Sequence, residues 1–430
     1  MRLDSVRFLL VFAVFFVAYT LAPPRAKRWL LVAGNLGFYA TLSPKWLPLL
    51  LGLGVYNFVV GSQLKRVPRL LYVGIAVNVA ALAFFRGSAL GVSFYALQAI
   101  SFLVDISRGM YEPPKSALSF LASFTLFPHL LSGPIVRSSF LVPLVERAET
   151  PAWTTARRAL LLFVAGLVKK AVADKLAPIA DHAFDASHAI SPLDAWTGLL
   201  AYAGQLYGDF AGYTDTATAL ALLLGLDLPP NFDLPYLATS PADFWRRWHI
   251  SLSSWLRDYI YMPLGVRFRR RRYTNVILTW LVAGLWHGTS PLFVLSGLYH
   301  GVLLAITDAL TRRFGTDDGP HGIRRVAQTV LTFYLVLMGY VLFRARSLAA
   351  AGAFYASLHV PRVASSFSRD ALATVATCVS AIVFCHVLDY AVRRREPAER
   401  AWVMWPAMAV AIALLVLFRA APSPFIYFAF

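Results

Sequence analysis

The chain has 430 residues, 58% of them hydrophobic and only 14% charged, with a mean hydropathy of +0.60. Soluble domains carry about 25% charged residues, so this composition excludes an ordinary soluble fold. The formal charge of +18 comes from 40 Lys and Arg against 22 Asp and Glu. The basic residues form short clusters between apolar blocks, a pattern of cytoplasmic membrane loops and not of a nucleic-acid-binding module.

Apolar blocks recur along the chain, at 6–22, 70–85, 159–173, 195–207, 213–226, 275–286, 291–310, 326–343, 371–391 and 403–417. Several approach the roughly 20 residues needed to span a bilayer. Counting shorter ones, about eleven to thirteen helical segments are predicted, making an all-α, polytopic membrane protein of a single domain across 1–430. The first block has a longer apolar core than a signal peptide, and "LAPPRAKR" is a poor cleavage site, so it is predicted to stay as a helix. Basic clusters at 25–28, 65–69, 267–272 and 393–395 mark the cytoplasmic side. The first two flank an apolar pair joined by "SPK", which fits a hairpin returning to its own side. Cys378 and Cys385 are spaced about 10 Å apart along a helix, too far for a disulfide, and are predicted to be core residues.

Three stretches interrupt the apolar pattern. In "GDFAGYTDTA", Asp209, Tyr213 and Asp215 stand among small residues that let helices approach closely. They fit either interhelical hydrogen bonding or substrate contact. In "SPADFWRRWHISLSSWLRDYIYMPLG", Ser240, Pro241 and Asp243 read as N-cap, N1 and N3 of a helix. One continuous helix is predicted from there, with Trp245, Trp248, His249, Leu252, Trp255, Leu256 and Tyr259 on one face. Arg246, Arg247, Ser254, Arg257 and Asp258 lie on the other, so the helix belongs at an interface or at the wall of a wet, protein-enclosed cavity. The plainer reading is an interfacial helix with a packed histidine. In "NVILTWLVAGLWHGTSP", a helix entering from the cytoplasm is predicted to stop at His287, before Gly288 and Pro291. Asn275 to His287 covers roughly 18 Å of a hydrocarbon core about 30 Å thick. A histidine there can accept and return a proton, or simply cap helix carbonyls. The remaining histidines, His300 among them, look scattered, and no metal site is predicted. No phosphate loop, G-x-S-x-G elbow or H-E-x-x-H helix is present.

"DFWRRWHISLSSWLRDYIYMPLG" followed by "LVAGLWHG" resembles the membrane-bound O-acyltransferase family, in its bacterial branch of alginate O-acetyltransferases and teichoic acid D-alanyltransferases. "GVSFYALQAISFLVDISRG", "FPHLLSGPIVR", "GLVKKAVADKLA", "GDFAGYTDTATALALLLGL", "GLYHG", "VLFRA" and "FIYFAF" extend the similarity along most of the chain. The resemblance implies helices around a central pore in the bacterial inner membrane, with shorter tilted helices meeting inside it. It places catalytic roles on His287 and His249. The donor would be acetyl-CoA or another acyl thioester, with no metal, and the acceptor a cell-envelope glycan served through an extracytoplasmic partner protein. Trp286, Arg247, His249 and the polar cluster Asp209, Tyr213 and Asp215 are the candidates for oxyanion stabilisation or substrate contact. The alternatives are D-alanyl transfer from a carrier-protein thioester, and a transporter or flippase. A transporter would more often show two corresponding halves, and none is evident.

Overall fold

A computed structural model describes residues 5–147, 149–185, 190–315, 322–360 and 371–393, with 409 and 413. Apart from those last two, the block at 403–417 lies outside the described residues. So do the 425–430 stretch, His188, His321 and all but the first residue of the 393–395 run. All regular structure among the described residues is helical. The chain divides into two compact units. The first holds Met1–Leu167, Tyr213–Pro230 and Arg395–Ala409, the second Val168–Gly212, Asn231–Arg394 and Val410–Phe430.

The first unit contains α1 (Val6–Leu21), α2 (Pro24–Leu42), α3 (Leu47–Gln63), α4 (Leu70–Phe85), α5 (Val92–Ser107), α6 (Ala117–Phe124), α7 (Phe127–Leu130) and α8 (Ser138–Arg147). α2 and α3 are joined through a short 3-10 turn, Pro44–Trp46, as the "SPK" hairpin requires. The first apolar block is a helix whose Phe8 and Phe12 rings pack on Phe127, with Phe38 against Phe8 at 5.3 Å. Apolar side chains gain little from leaving lipid, so polar side chains do much of the tying between membrane helices. Asn57 and Asn78 exchange amide hydrogen bonds of 3.1 and 2.8 Å between α3 and α4. Asn35 on α2 donates to the Ala122 carbonyl at 3.0 Å and accepts from the Phe127 N–H at 3.1 Å, pinning the joint between α6 and α7.

Two helices of 32 residues, α9 (Trp153–Phe184) and α10 (Pro192–Leu223), each have a part in either unit. At 1.5 Å per residue each is roughly 48 Å long. The apolar blocks at 195–207 and 213–226 thus share one helix as far as Leu223: the small and polar residues between them carry on the helix.

The second unit adds α11 (Pro241–Arg247), α12 (Ile250–Leu256), α13 (Met262–Arg267), α14 (Arg272–His287), α15 (Pro291–Phe314), α16 (Gly322–Arg344), α17 (Leu348–His359) and α18 (Ala371–Arg393). A π-helical turn at Arg257–Tyr261 links α12 to α13. Among the described residues, four helical segments are long and apolar enough to cross a membrane: Pro44–Gln63, Pro291–Phe314, Gly322–Arg344 and Ala373–Tyr390. Arg7–Leu21, Leu70–Phe85 and Val92–Ser107 are shorter apolar helices. Cys378 and Cys385 are both buried on α18. The protein is an all-α, multi-pass membrane protein.

α14 and α15 form an antiparallel hairpin with touching backbones. A Cβ on Gly297 would overlap the Trp280 carbonyl, and one on Gly284 the Phe293 carbonyl. Gly297→Val is therefore expected to destabilise the protein by about 1–3 kcal/mol through overpacking. Gly37→Ala, inside α2 with nothing within 4 Å of the added carbon, should instead stabilise the protein by up to about 1 kcal/mol, because alanine is the better helix former.

Candidate active site

The start of α11 is as its sequence dictates. Ser240 Oγ accepts from the Asp243 N–H at 3.1 Å, Pro241 fills N1, and Asp243 Oδ2 accepts from the Thr239 N–H at 3.2 Å. The helix predicted to run on through Tyr259, however, breaks. Trp248 is extended, with φ −103° and ψ 128°, and His249 is left-handed at φ 44° and ψ 53° before α12 begins. The cause lies some twenty residues upstream. The Asn231 carbonyl accepts from the Ile250 N–H at 2.8 Å, and its Oδ1 takes the Ser251 N–H at 3.1 Å and hydroxyl at 2.8 Å. The Asp233 N–H donates to the Arg247 carbonyl at 2.8 Å. These bonds satisfy the backbone groups that a helix break exposes. Left-handed backbone costs a non-glycine residue about 1–2 kcal/mol and persists where its surroundings enforce it, often at functional sites.

Asn231→Ala should release α12 and let His249 relax. The expected result is a loss of about 0.5–2 kcal/mol of stability, as for other lost caps, with a fall in acyl transfer measured on the same preparation.

His249, released from a helical face, is buried at the wall of an internal cavity of about 50 Å³. His287, the last residue of α14, lines the same cavity, with Gly288 extended beyond it and Pro291 opening α15. The helix thus stops where the sequence predicts. Each histidine is wedged by aromatic rings. His249 meets Phe210 edge-on at 4.7 Å, and His287 meets Phe343 at 4.9 Å. Trp286 touches both, at 6.0 Å from His249 and 4.7 Å from His287. Such packing fixes ring orientation and keeps water scarce, which strengthens any hydrogen bond to a developing charge.

Behind this wall lies a buried ion pair, absent from the sequence expectations. Lys169 on α9 pairs with Asp389 on α18, and the Tyr207 hydroxyl donates to the same carboxylate. Tyr207 also packs on Trp248 at 6.2 Å and on His386 at 4.7 Å. His386 Nε2 accepts from the Tyr236 N–H at 3.2 Å, and the Tyr236 hydroxyl meets that of Tyr340, a cavity residue, at 3.2 Å. α18 is thereby tied to the residues that carry His249.

The other sequence candidates lie off the cavity. Trp286 packs against both histidines without lining it. Arg247 is engaged by Asp243 at 3.0 Å. Asp209 is buried and paired with Lys170 at 2.9 Å, a lysine that also holds Asp174 at 2.7 Å. Asp209 on α10 thus has a partner on α9, as the hydrogen-bonding reading expects. Tyr213 and Asp215 belong to the first unit. Conversely His300, Trp245, Trp280 and Tyr340 all line the cavity. Their convergence depends on the α14–α15 hairpin and on α16, which spacing alone does not reveal.

An all-α membrane protein with two histidines at the wall of one buried, aromatic-lined cavity is equipped for proton transfer away from water. A sequence model described as the membrane-bound O-acyltransferase family, MBOAT, matches residues 89–350. The chain is 36% identical over 388 residues to the probable alginate O-acetylase AlgI of Azotobacter vinelandii, covering 82% of this chain and 76% of that protein. It is 31% identical over 493 residues to the peptidoglycan O-acetyltransferase of Helicobacter pylori, covering 96% and 93%. Identity to the teichoic acid D-alanyltransferase of Bacillus subtilis is 28% over 276 residues, covering 60% and 68%. The chain belongs to the MBOAT family and is a membrane O-acyltransferase.

Proposed function

We propose that this chain, acting as one membrane domain in the bacterial inner membrane, moves a short acyl group, acetyl, from a cytosolic thioester such as acetyl-CoA. The acceptor is a hydroxyl of an extracytoplasmic envelope polysaccharide, reached directly or through a partner enzyme. The observation that carries the reading is the placement of His249 and His287 on one buried cavity. An alcohol is a poor nucleophile until a base takes its proton. His287 accepts that proton as the oxygen attacks the acyl carbon; the C–O bond forms, the C–S bond breaks, and the departing thiolate takes the proton back. His249, on the same wall, stabilises the transient oxyanion as a hydrogen-bond donor.

Cavity size and lining support the acetyl group. A water needs about 10–15 Å³, so about 50 Å³ has room for a few-atom acyl group. Among the described residues no carboxylate lines the cavity to meet the ammonium of a D-alanyl group. The similarity to an alginate and a peptidoglycan acetylating enzyme over most of the chain supports a polysaccharide acceptor.

The purified protein in detergent, given equal amounts of labelled acetyl-CoA, palmitoyl-CoA and a D-alanyl carrier thioester, should transfer or hydrolyse acetyl at least about tenfold faster than either other group. Equal or faster turnover of palmitoyl or D-alanyl would overturn the assignment of acetyl.

A further inference from the structure

The basic run at 267–272 serves above only to mark the cytoplasmic side, and its surroundings give it a further use. It lies on the stretch that joins α12, which begins after His249, to α14, which ends at His287. The π-helical turn at Arg257–Tyr261 and α13 lead into it. Asn275, buried on α14, donates to the Phe268 carbonyl at 3.2 Å and ties the run to that helix. The side chains, by contrast, stay accessible: Arg267, Phe268, Arg269, Arg270 and Arg271 are all exposed.

Arg267, Arg269, Arg270 and Arg271 have no carboxylate partner among the described residues. The carboxylates near them are taken: Asp258 holds Arg257 at 2.8 Å, and Asp308 holds Arg272 at 2.5 Å and Arg312 at 3.2 Å. Other cytoplasmic clusters are partly engaged by protein, since Lys27 bonds Thr150 at 2.8 Å and Lys65 pairs with Glu112. Four unneutralised guanidinium groups within five residues repel one another and attract anions. Large apolar side chains stand bare on the same stretch. Met262 and Val266, four residues apart on one side of α13, are 56% and 81% exposed, and Phe268 is exposed too. The Arg272–Asp308 pair sets the run beside the end of α15, a helix long and apolar enough to cross the membrane. An acidic soluble partner answers the arginines but not apolar side chains at the membrane's edge. An anionic bilayer surface supplies both, with phosphates for the guanidinium groups and an apolar layer for Met262 and Val266. Loops of this sign face the cytoplasm, and the cytoplasmic leaflet carries anionic lipid.

We infer that the 262–271 segment is a docking site for anionic phospholipid headgroups of the cytoplasmic leaflet. The guanidinium groups take the lipid phosphates, while Met262 and Val266 enter the apolar layer beneath them. Bound lipid holds the joint between the two histidine-bearing helices from outside, as Asn275 holds it from within. The site does not depend on which acyl group the protein transfers.

The test uses the purified full-length protein in detergent, supplied with equal amounts of phosphatidylcholine and phosphatidylglycerol. Two quantities are read: the ratio of the two lipids retained, by mass spectrometry, and the unfolding temperature with each lipid alone. The wild type should retain phosphatidylglycerol preferentially and unfold at a higher temperature with it, because a ligand of the native state stabilises that state. Arg269→Gln with Arg270→Gln should lower the retention ratio by up to about 25-fold, at about fivefold per arginine near an anionic surface. It should also remove most of the thermal gain. Arg66→Gln with Arg69→Gln takes the same charge from another loop and should change both quantities far less. Raised salt should bring the wild type toward the loop variant, and soluble glycerol phosphate should not displace the lipid. Equal retention of both lipids by the wild type, the same loss in the two double variants, or displacement by glycerol phosphate would overturn the inference. So would a loop variant that keeps its lipid but loses turnover with an acidic carrier-protein donor alone, which would assign the arginines to a protein partner.

Discussion

Replacing His287 with alanine is expected to lower acyl transfer by about 10²–10⁴-fold, the range for loss of a positioned general base. His287 closes α14, and Gly288 and Pro291 then turn the chain into α15. Alanine is the best helix former, so this helix end should survive the substitution. The ring's contacts with Trp286 and Phe343 are lost, leaving extra space in a cavity that already exists. The loss should therefore fall on kcat, with KM for the thioester little changed, because the missing interaction belongs to the transition state. Transfer of labelled acetyl by purified protein, with an unfolding curve on the same sample, separates this from misfolding. A variant that keeps wild-type kcat would remove His287 from the chemistry.

The largest stability effect is expected at Asp389. Lys169 and Asp389 side chains are 1% and 3% exposed, so each charge depends on the other. Removing one partner of a buried pair typically costs about 3–5 kcal/mol because the remaining charge is left uncompensated. Asp389→Ala would also take the acceptor from the Tyr207 hydroxyl. Since Tyr207 packs on Trp248, next to His249, activity should fall along with stability. Replacing both charges, as Lys169→Met with Asp389→Leu, should recover much of the stability, since an apolar pair of similar volume carries no desolvation penalty. Chemical unfolding of the three variants in detergent decides the point. An Asp389→Ala variant as stable as wild type would show that the pair does not hold α18 in place.

What the sequence discloses follows the range of the forces involved. The stop at His287 and the Ser240–Pro241–Asp243 start are set by neighbours a few residues away, and both are legible in the chain. The break at Trp248–His249 is not, because its capping groups come from Asn231 and Asp233, and a three- and four-residue periodicity runs straight across it. The ionisable residues of α9 and α10 are visible as oddities in apolar helices, but which carboxylate meets which lysine depends on how those helices pack. His300 sits in an apolar run with nothing local to mark it. Only the antiparallel contact of α14 with α15 carries it to the wall shared with His249 and His287.

The most direct test of the paired site is a double-mutant cycle on the rate of labelled acetyl transfer. Two residues serving one transition state act as a unit, and their effects are far from additive. Wild type, His287→Ala, His249→Ala and the double variant should be compared as purified, folded protein. We predict that the double variant is no more than a few-fold slower than His287→Ala alone. Independent effects that multiply in the double variant, or a His287→Ala protein that retains the wild-type rate, would contradict the assignment of both histidines to one catalytic cavity.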